Sequence, residues 1–304
     1  MRGLELSRLY YDEVVAPLLS EVMGRDASRA AVGLVGEGSE CLGFDDEYSR
    51  DHDFGPSVCV WLARDDYRRW SAPLGDAFRQ LPDGYRGLAL YRDGAYGANR
   101  RGVWEIGAFY AKYLGLPRAP RTVGEWRRVP EDHLATAVNG AVFVDPLGTF
   151  SAIRGQLLDF YPEDVRLHKL AARCVTMARA GQYNYPRCLA RGETIAARLA
   201  LARFTEAAIS AAHLLNKRYT PFYKWMRRSL GALPILGQEL SESLERLWAE
   251  ESPSLTEKIC GAVVGELQAQ GLSDARGDFL LEHAEALQNL VQDQELRELG
   301  PWVE

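Results

Sequence analysis

Apolar residues in the first part of the chain come in short runs broken by glycine and charge, and in the remainder they recur every three or four positions. Ala30-Ala31-Val32-Gly33-Leu34-Val35, which ends in glycines, and Val58-Cys59-Val60-Trp61-Leu62 read as buried strands. Gly102-Val103-Trp104-Glu105-Ile106-Gly107 is a third strand-like run and leads into a helical pattern at residues 108–114. Residues 65–81 carry helical periodicity, and residues 1–23 read as an amphipathic helix. Ala141-Val142-Phe143-Val144-Asp145 is expected to be the second arm of a hairpin turning at Asn139-Gly140. After Asp145 the pattern predicts helices over residues 147–160, 162–180, 193–217, 221–232, 238–250, 255–270 and 276–296. The expected fold is therefore α+β. A mixed-sheet head with flanking helices spans residues 1–122, and an α-helical bundle spans residues 123–304, with the short hairpin near 136–145 inside it.

Composition narrows the class. A chain of 304 residues has room for two such domains, and 47% hydrophobic residues suits a soluble globular protein. No membrane segment is expected, and the N-terminal segment does not have the build of a leader peptide. Cys41, Cys59, Cys174, Cys188 and Cys260 form neither a CxxC pair nor a zinc-type cluster with histidine, so the expected compartment is the reducing cytoplasm. A net charge of -6 disfavours a dedicated nucleic-acid binder without excluding one. Local basic clusters occur at Arg118 with Arg121, at Arg127-Arg128, and at Lys217-Arg218 with Lys224, Arg227 and Arg228. The charges of residues 193–217, Arg203 and Glu206 among them, read as the wet side of an alanine-rich central helix.

The chemistry concentrates in Gly36-Glu37-Gly38-Ser39-Glu40-Cys41-Leu42-Gly43 and, shortly after, Ser49-Arg50-Asp51-His52-Asp53. Glycines after a strand let backbone amides approach a phosphate, and Ser39 adds a hydroxyl. Asp51 and Asp53 are two apart, the spacing that places two carboxylates on one face of a strand, where they can share Mg²⁺ with phosphate oxygens. His52, between them, points the other way on a regular strand and is given no catalytic role.

Gly-Ser, a spacer and Asp-x-Asp together resemble the signature of the polymerase-beta-like nucleotidyltransferase superfamily. The longer string is similar to a bacterial family called domain of unknown function 4037. That string comprises Gly38-Ser39, Gly43, Phe44-Asp45, Ser49-Arg50-Asp51-His52-Asp53-Phe54-Gly55-Pro56 and Tyr219-Thr220-Pro221-Phe222-Tyr223-Lys224-Trp225. It differs from the minimal superfamily form in having Arg50 between Ser49 and Asp51. The resemblance implies a nucleotidyltransferase-like head and a third carboxylate on an adjacent strand. Glu105 is the choice, and Asp145, which also reads as a helix cap before Pro146, is the alternative. It further implies nucleotide binding by Gly38, Ser39, Lys224 and Tyr219.

The implied reaction uses two Mg²⁺ ions on Asp51, Asp53 and Glu105. It moves a nucleoside monophosphate from a triphosphate, with ATP favoured, to a hydroxyl of an acceptor. Glu105 could also act as the general base that takes the hydroxyl proton. A small-molecule acceptor is expected ahead of an RNA end or a protein side chain. The rival reading is a catalytically silent nucleotide sensor or interaction module. The sequence does not specify the oligomeric state.

Overall fold

The computed structural model describes residues 2–50, 55–91 and 100–303. In chain order its helices and strands are α1 (Gly3–Tyr10), α2 (Ala16–Met23), β1 (Ala31–Leu34), α3 (Ser39–Leu42), β2 (Cys59–Leu62), α4 (Arg64–Gln80), β3 (Gly84–Tyr85), β4 (Leu88–Ala89), β5 (Gly102–Glu105), α5 (Ile106–Leu114), α6 (Val123–Arg128), α7 (Glu131–Val138), β6 (Ala141–Val144), α8 (Thr149–Leu158), α9 (Glu163–Met177), α10 (Tyr185–Ala190), α11 (Thr194–Leu215), α12 (Tyr223–Leu230), α13 (Gly237–Glu250), α14 (Pro253–Ala269), α15 (Leu280–Leu290) and α16 (Gln294–Leu299). A π-helical turn at Tyr11–Val15 joins α1 to α2, and another at Ala178–Asn184 joins α9 to α10. No described helix is long and apolar enough to cross a membrane. The chain is a mixed α+β protein that divides into two compact units, Met1–Pro120 with Thr136–Asp159, and Arg121–Ala135 with Phe160–Glu304.

The first unit, the head, is built on a four-stranded sheet of order β5-β2-β1-β6. β2 runs antiparallel to β1 and parallel to β5, and β6 runs antiparallel to β1. Parallel β2 and β5 need a crossover, which α4 and the β3–β4 hairpin supply. Strand alternation explains why β2 is apolar throughout. Val58, Val60 and Leu62 face a core made with Tyr10, Val15, Leu19, Met23 and Leu74. Trp61 points the other way, stacking on Phe150 of α8 at 3.9 Å and meeting Phe109 of α5 edge-on at 5.4 Å. A sheet covered on both faces gives continuous apolar runs, the pattern seen at residues 30–35 and 58–62.

Two expectations are corrected here. The segment before Asn139-Gly140 is helix α7 and not a hairpin arm, and β6 pairs with β1 inside the head sheet. Asn-Gly stops a helix as readily as it turns a hairpin, because Gly140 takes the left-handed conformation, at φ 62°. Residues 276–296 do not form one helix. The Asp164 carboxylate accepts the amides of Gln292 and Asp293, and Asp293 then caps α16 by accepting from the Leu296 amide, so the chain bends between α15 and α16.

The second unit is wholly helical among its described residues. Its centre is α9, which packs against both α11 and α15 and buries residues on nearly every side. α11 presents the small residues Ala197, Ala200, Ala207, Ala208, Ala211 and Ala212 to the interior, which allows close helix packing.

Candidate functional site

β1 ends in a turn in which Gly36 and Gly38 both lie at φ 121°, a conformation that side chains rarely tolerate, and Ser39 opens α3 directly afterwards. A Cβ on Gly38 would collide with the carboxyl of Glu40. The turn is held from several directions. The Asn139 side chain donates to the Gly36 carbonyl at 2.7 Å and accepts from the Gly36 amide at 2.9 Å, as a neighbouring strand would. The buried Arg101 guanidinium donates to the Glu37 carbonyl at 2.8 Å, to the Glu40 carboxylate at 2.6 Å and to the Ser57 hydroxyl at 3.3 Å. The Glu37 carboxylate accepts from the Tyr113 hydroxyl at 2.6 Å and pairs with Lys112 at 2.9 Å. Burial alone would raise the Glu37 pKa, but these two donors outweigh it and hold it below the ordinary glutamate value. Burial pushes the Cys41 thiol up to about 12, which keeps it protonated and makes it a packing residue and not a nucleophile.

The strand register decides what else reaches this turn. Gly33, just before the turn, pairs with Cys59, the first residue of β2, so β2 enters the sheet at the glycine end. A cavity of about 650 Å³ opens beside the starts of β2 and β5, with Ser57, Tyr91, Arg101 and Gly102 in its wall but none of residues 36–39. Asp51 and Asp53, which precede β2 in sequence, lie outside the described residues. Ser49 is described, and it is engaged locally, with its amide and hydroxyl both on the Asp46 carboxylate at 3.1 Å.

Both sequence-derived third acids sit at the other end of the sheet. Gly102 is level with Cys59, and β5 then runs parallel to β2 and away from the turn, so Glu105 ends beside Leu62, roughly 10 Å farther down the sheet. There its carboxylate meets Arg64, at the start of α4, at 3.4 Å. β6 likewise begins beside Leu34 and ends with Val144 beside Val32, and Asp145 follows it. The Asp145 carboxylate accepts the Ser151 amide at 2.7 Å, capping α8. Strand, acid and following helix occur around Glu105 in the expected order, but the parallel direction of β5 carries the acid away from the glycines. Among the described residues no group of three or more His, Cys, Asp and Glu side chains is placed to hold a metal ion.

The helical unit contains its own pocket, with a volume of about 660 Å³. One face of α9 supplies Lys169, Arg173 and Thr176, and one face of α11 supplies Arg203, Glu206 and Ser210. The start of α7 contributes Glu131, the segment before it Arg127 and Arg128, and Thr220, Pro221, Phe222, Tyr223 and Met226 close the remaining side. Glu131 is the hub of the floor. Its carboxylate accepts from Arg173 at 3.0 Å, from Thr220 at 2.6 Å and from Ser210 at 3.1 Å, while Arg173 also donates to Ser210 at 2.7 Å.

The pocket takes Thr220, Pro221, Phe222 and Tyr223 from the aromatic motif. Tyr219 instead packs into the core against Phe160 at 4.8 Å and Tyr161 at 5.1 Å. Lys224 is exposed, with its ammonium 5.1 Å from the ring of its neighbour Trp225. Neither of those two lines the pocket. Arg101, Asn139, Glu131, Lys169 and Arg173 were not singled out by sequence. For the last two, the available signal was two cations four apart on a helix otherwise buried.

Residues 126–226 match the family model described as domain of unknown function, DUF4037. The matched stretch contains every residue lining the pocket built around Glu131, while the Gly-Ser turn and the Asp51-x-Asp53 pair precede it. No curated protein and no solved structure gives a significant match.

Proposed function

We propose that the protein is a nucleotidyltransferase that moves a nucleoside monophosphate, with ATP as the favoured donor, to a hydroxyl of a small acceptor. The observation that carries this reading is the strand–glycine turn–helix unit in which Ser39 opens the helix, with Arg101 bonded to the turn and β2 entering the sheet at the same end. A glycine turn fixed by Asn139 and Arg101, with the Ser39 hydroxyl at the start of the following helix, suits a triphosphate tail. In this reading Gly38 and Ser39 grip the outer phosphates, while Arg101, already paired with Glu40, holds the turn in place. Asp51 and Asp53 are the residues that would hold Mg²⁺, which when bound neutralises charge on the attacking and leaving oxygens. Glu105 and Asp145 are given no part, since both stand at the opposite end of the sheet. The cavity of about 650 Å³ beside Arg101 is of a size that admits a small-molecule substrate.

The test is transfer of label from α-labelled ATP to a metabolite pool with Mg²⁺ present, together with pyrophosphate release. Asp51→Asn and Asp53→Asn should each abolish both signals while the thermal melt is retained. Full transfer by the double variant would overturn the assignment. ATP binding without pyrophosphate release by the wild type would identify a nucleotide-sensing module instead.

A further inference from the structure

We propose that the pocket of the helical unit is a second ligand site, specific for a small phosphorylated molecule, with Lys169, Arg173 and Arg203 receiving the phosphate and Phe222 and Tyr223 covering the organic part. The inference does not rest on the transfer reading, because it concerns the helical unit alone.

Charge is the first ground. The chain as a whole carries a net charge of -6, yet the pocket wall holds five arginine and lysine side chains against three carboxylates. One of those carboxylates, Glu131, is bound by Arg173, Ser210 and Thr220 within the wall itself. The surface of the cavity is thus locally inverted in sign, which concentrates anions.

Burial is the second. Lys169 is 2% exposed and projects from the middle of the central helix α9, its ammonium 5.6 Å from the Tyr161 ring centre. Held in the wall by its surroundings, the Lys169 side chain has little freedom left to lose when an anion enters the adjoining cavity. Arg173 is preorganised: with its guanidinium already tied to Glu131 and Ser210, little side-chain freedom remains to be lost on binding.

The third ground is the rim. Phe222 and Tyr223 are 48% and 71% exposed, with ring centres 4.4 Å apart, at the mouth of a pocket whose floor is charged. Exposed aromatic faces beside a cation cluster fit a ligand with a flat or apolar body and a phosphate tail. The volume of about 660 Å³ suits one such molecule and not a folded partner. Two sources share this chemistry, a nucleotide and a phosphorylated sugar or similar acceptor.

The test is isothermal titration of the full chain, in chelator, with pyrophosphate, ATP, ribose 5-phosphate and adenosine. Phosphate-bearing compounds should bind and adenosine should not. Arg128→Glu and Arg203→Glu, both at exposed positions, should each weaken pyrophosphate binding at least tenfold with the thermal melt retained, and Lys169→Met should weaken it as much. Phe222→Ala with Tyr223→Ala should weaken ATP or ribose 5-phosphate but spare pyrophosphate. ATP binding more tightly than ribose 5-phosphate assigns the nucleotide as the source, and the reverse order assigns the phosphorylated acceptor. The proposal is overturned if no phosphate compound binds, or if binding survives both glutamate variants and is lost instead in Arg101→Gln, which would place the site in the head. Loss of label transfer in the Asp51 and Asp53 variants does not bear on these titrations, so the two readings fail separately.

Discussion

The glycine turn of the head and the pocket of the helical unit gather charged side chains by opposite means. In the head, side chains serve the backbone: Asn139 takes both polar groups of Gly36, and Arg101 takes the Glu37 carbonyl. What is being positioned is main chain, and it is glycine that allows the main chain to be there. In the helical unit the backbone is satisfied within the helices, and the wall is made by side chains three, four and seven apart on α9 and α11. Glu131 then bonds to those side chains and not to amides. A site built on backbone tolerates side-chain variation and fails when a glycine changes. A site built on helix faces tolerates small backbone changes and fails when its buried charge loses a partner.

The largest expected effect tests the second half of that contrast. Glu131→Ala strips a partly buried guanidinium and two buried hydroxyls of their shared acceptor, and losing a buried charged partner in this way costs roughly 3–5 kcal/mol. Chemical denaturation should show the loss, and Glu131→Gln, which keeps an acceptor oxygen, should recover part of it. A loss below about 1 kcal/mol for the alanine variant would mean that the pocket floor is not organised by this carboxylate.

The head should break at glycine instead. Gly140 lies at φ 62°, and a Cβ there would run into the Leu34 carbonyl, so the strain of a left-handed alanine adds to a backbone collision between β1 and the start of β6. Gly140→Ala should cost on the order of 3 kcal/mol. Asn139→Ala, next door, removes two hydrogen bonds and leaves the amide and carbonyl of the buried Gly36 without that partner, for about 1–3 kcal/mol. If Asn139→Ala proved more damaging than Gly140→Ala, side-chain bonding and not backbone geometry would be holding the turn.

This contrast also explains what the sequence makes legible. The helices of residues 193–217, 238–250 and 255–270 follow from periodicity and match α11, α13 and α14 closely. The two apolar strands and the glycine turn are equally readable, because glycine, apolar run and loop are local signals. Direction within the sheet is not local. Nothing in Gly102-Val103-Trp104-Glu105 says whether the run lies parallel or antiparallel to β2, yet that alone decides whether Glu105 faces the turn or the far end. The helical pocket was hidden for a related reason. Glu131, the Lys169–Arg173 pair, Ser210 and Thr220 are far apart in sequence, and each is an unremarkable residue until α7, α9, α11 and the segment before α12 bring them together. In the aromatic motif the sequence points to Tyr219 and Lys224, whereas Thr220, Pro221, Phe222 and Tyr223 line the cavity, because the course of the segment leading into α12, which composition does not specify, decides which side chains reach it.

The smallest expected effect separates the units by acid. In the head, Glu37 has its pKa lowered on folding. Its contribution to stability is therefore complete above the unfolded value of about 4.3 and is lost as pH falls through the folded value. In the helical unit, His213 is buried, and burial lowers its pKa despite the opposing pull of the Ile209 carbonyl and Glu131. Its ring lies between that carbonyl at 2.8 Å and the Ser229 hydroxyl at 2.9 Å, an arrangement that suits the neutral imidazole. Unfolded, the same histidine binds a proton near pH 6.5, so the stability it contributes is present above that pH and declines as pH falls toward the folded value. Acidification should thus weaken the helical unit first, beginning near pH 6.5, and the head only below about pH 4.3. Hydrogen exchange followed unit by unit between pH 7 and 4 reads the difference directly, and His213→Gln should remove the upper step alone. A single step in both units, unchanged by His213→Gln, would show that the two regions share one acid response and that the contrast in how they hold charge does not extend to titration.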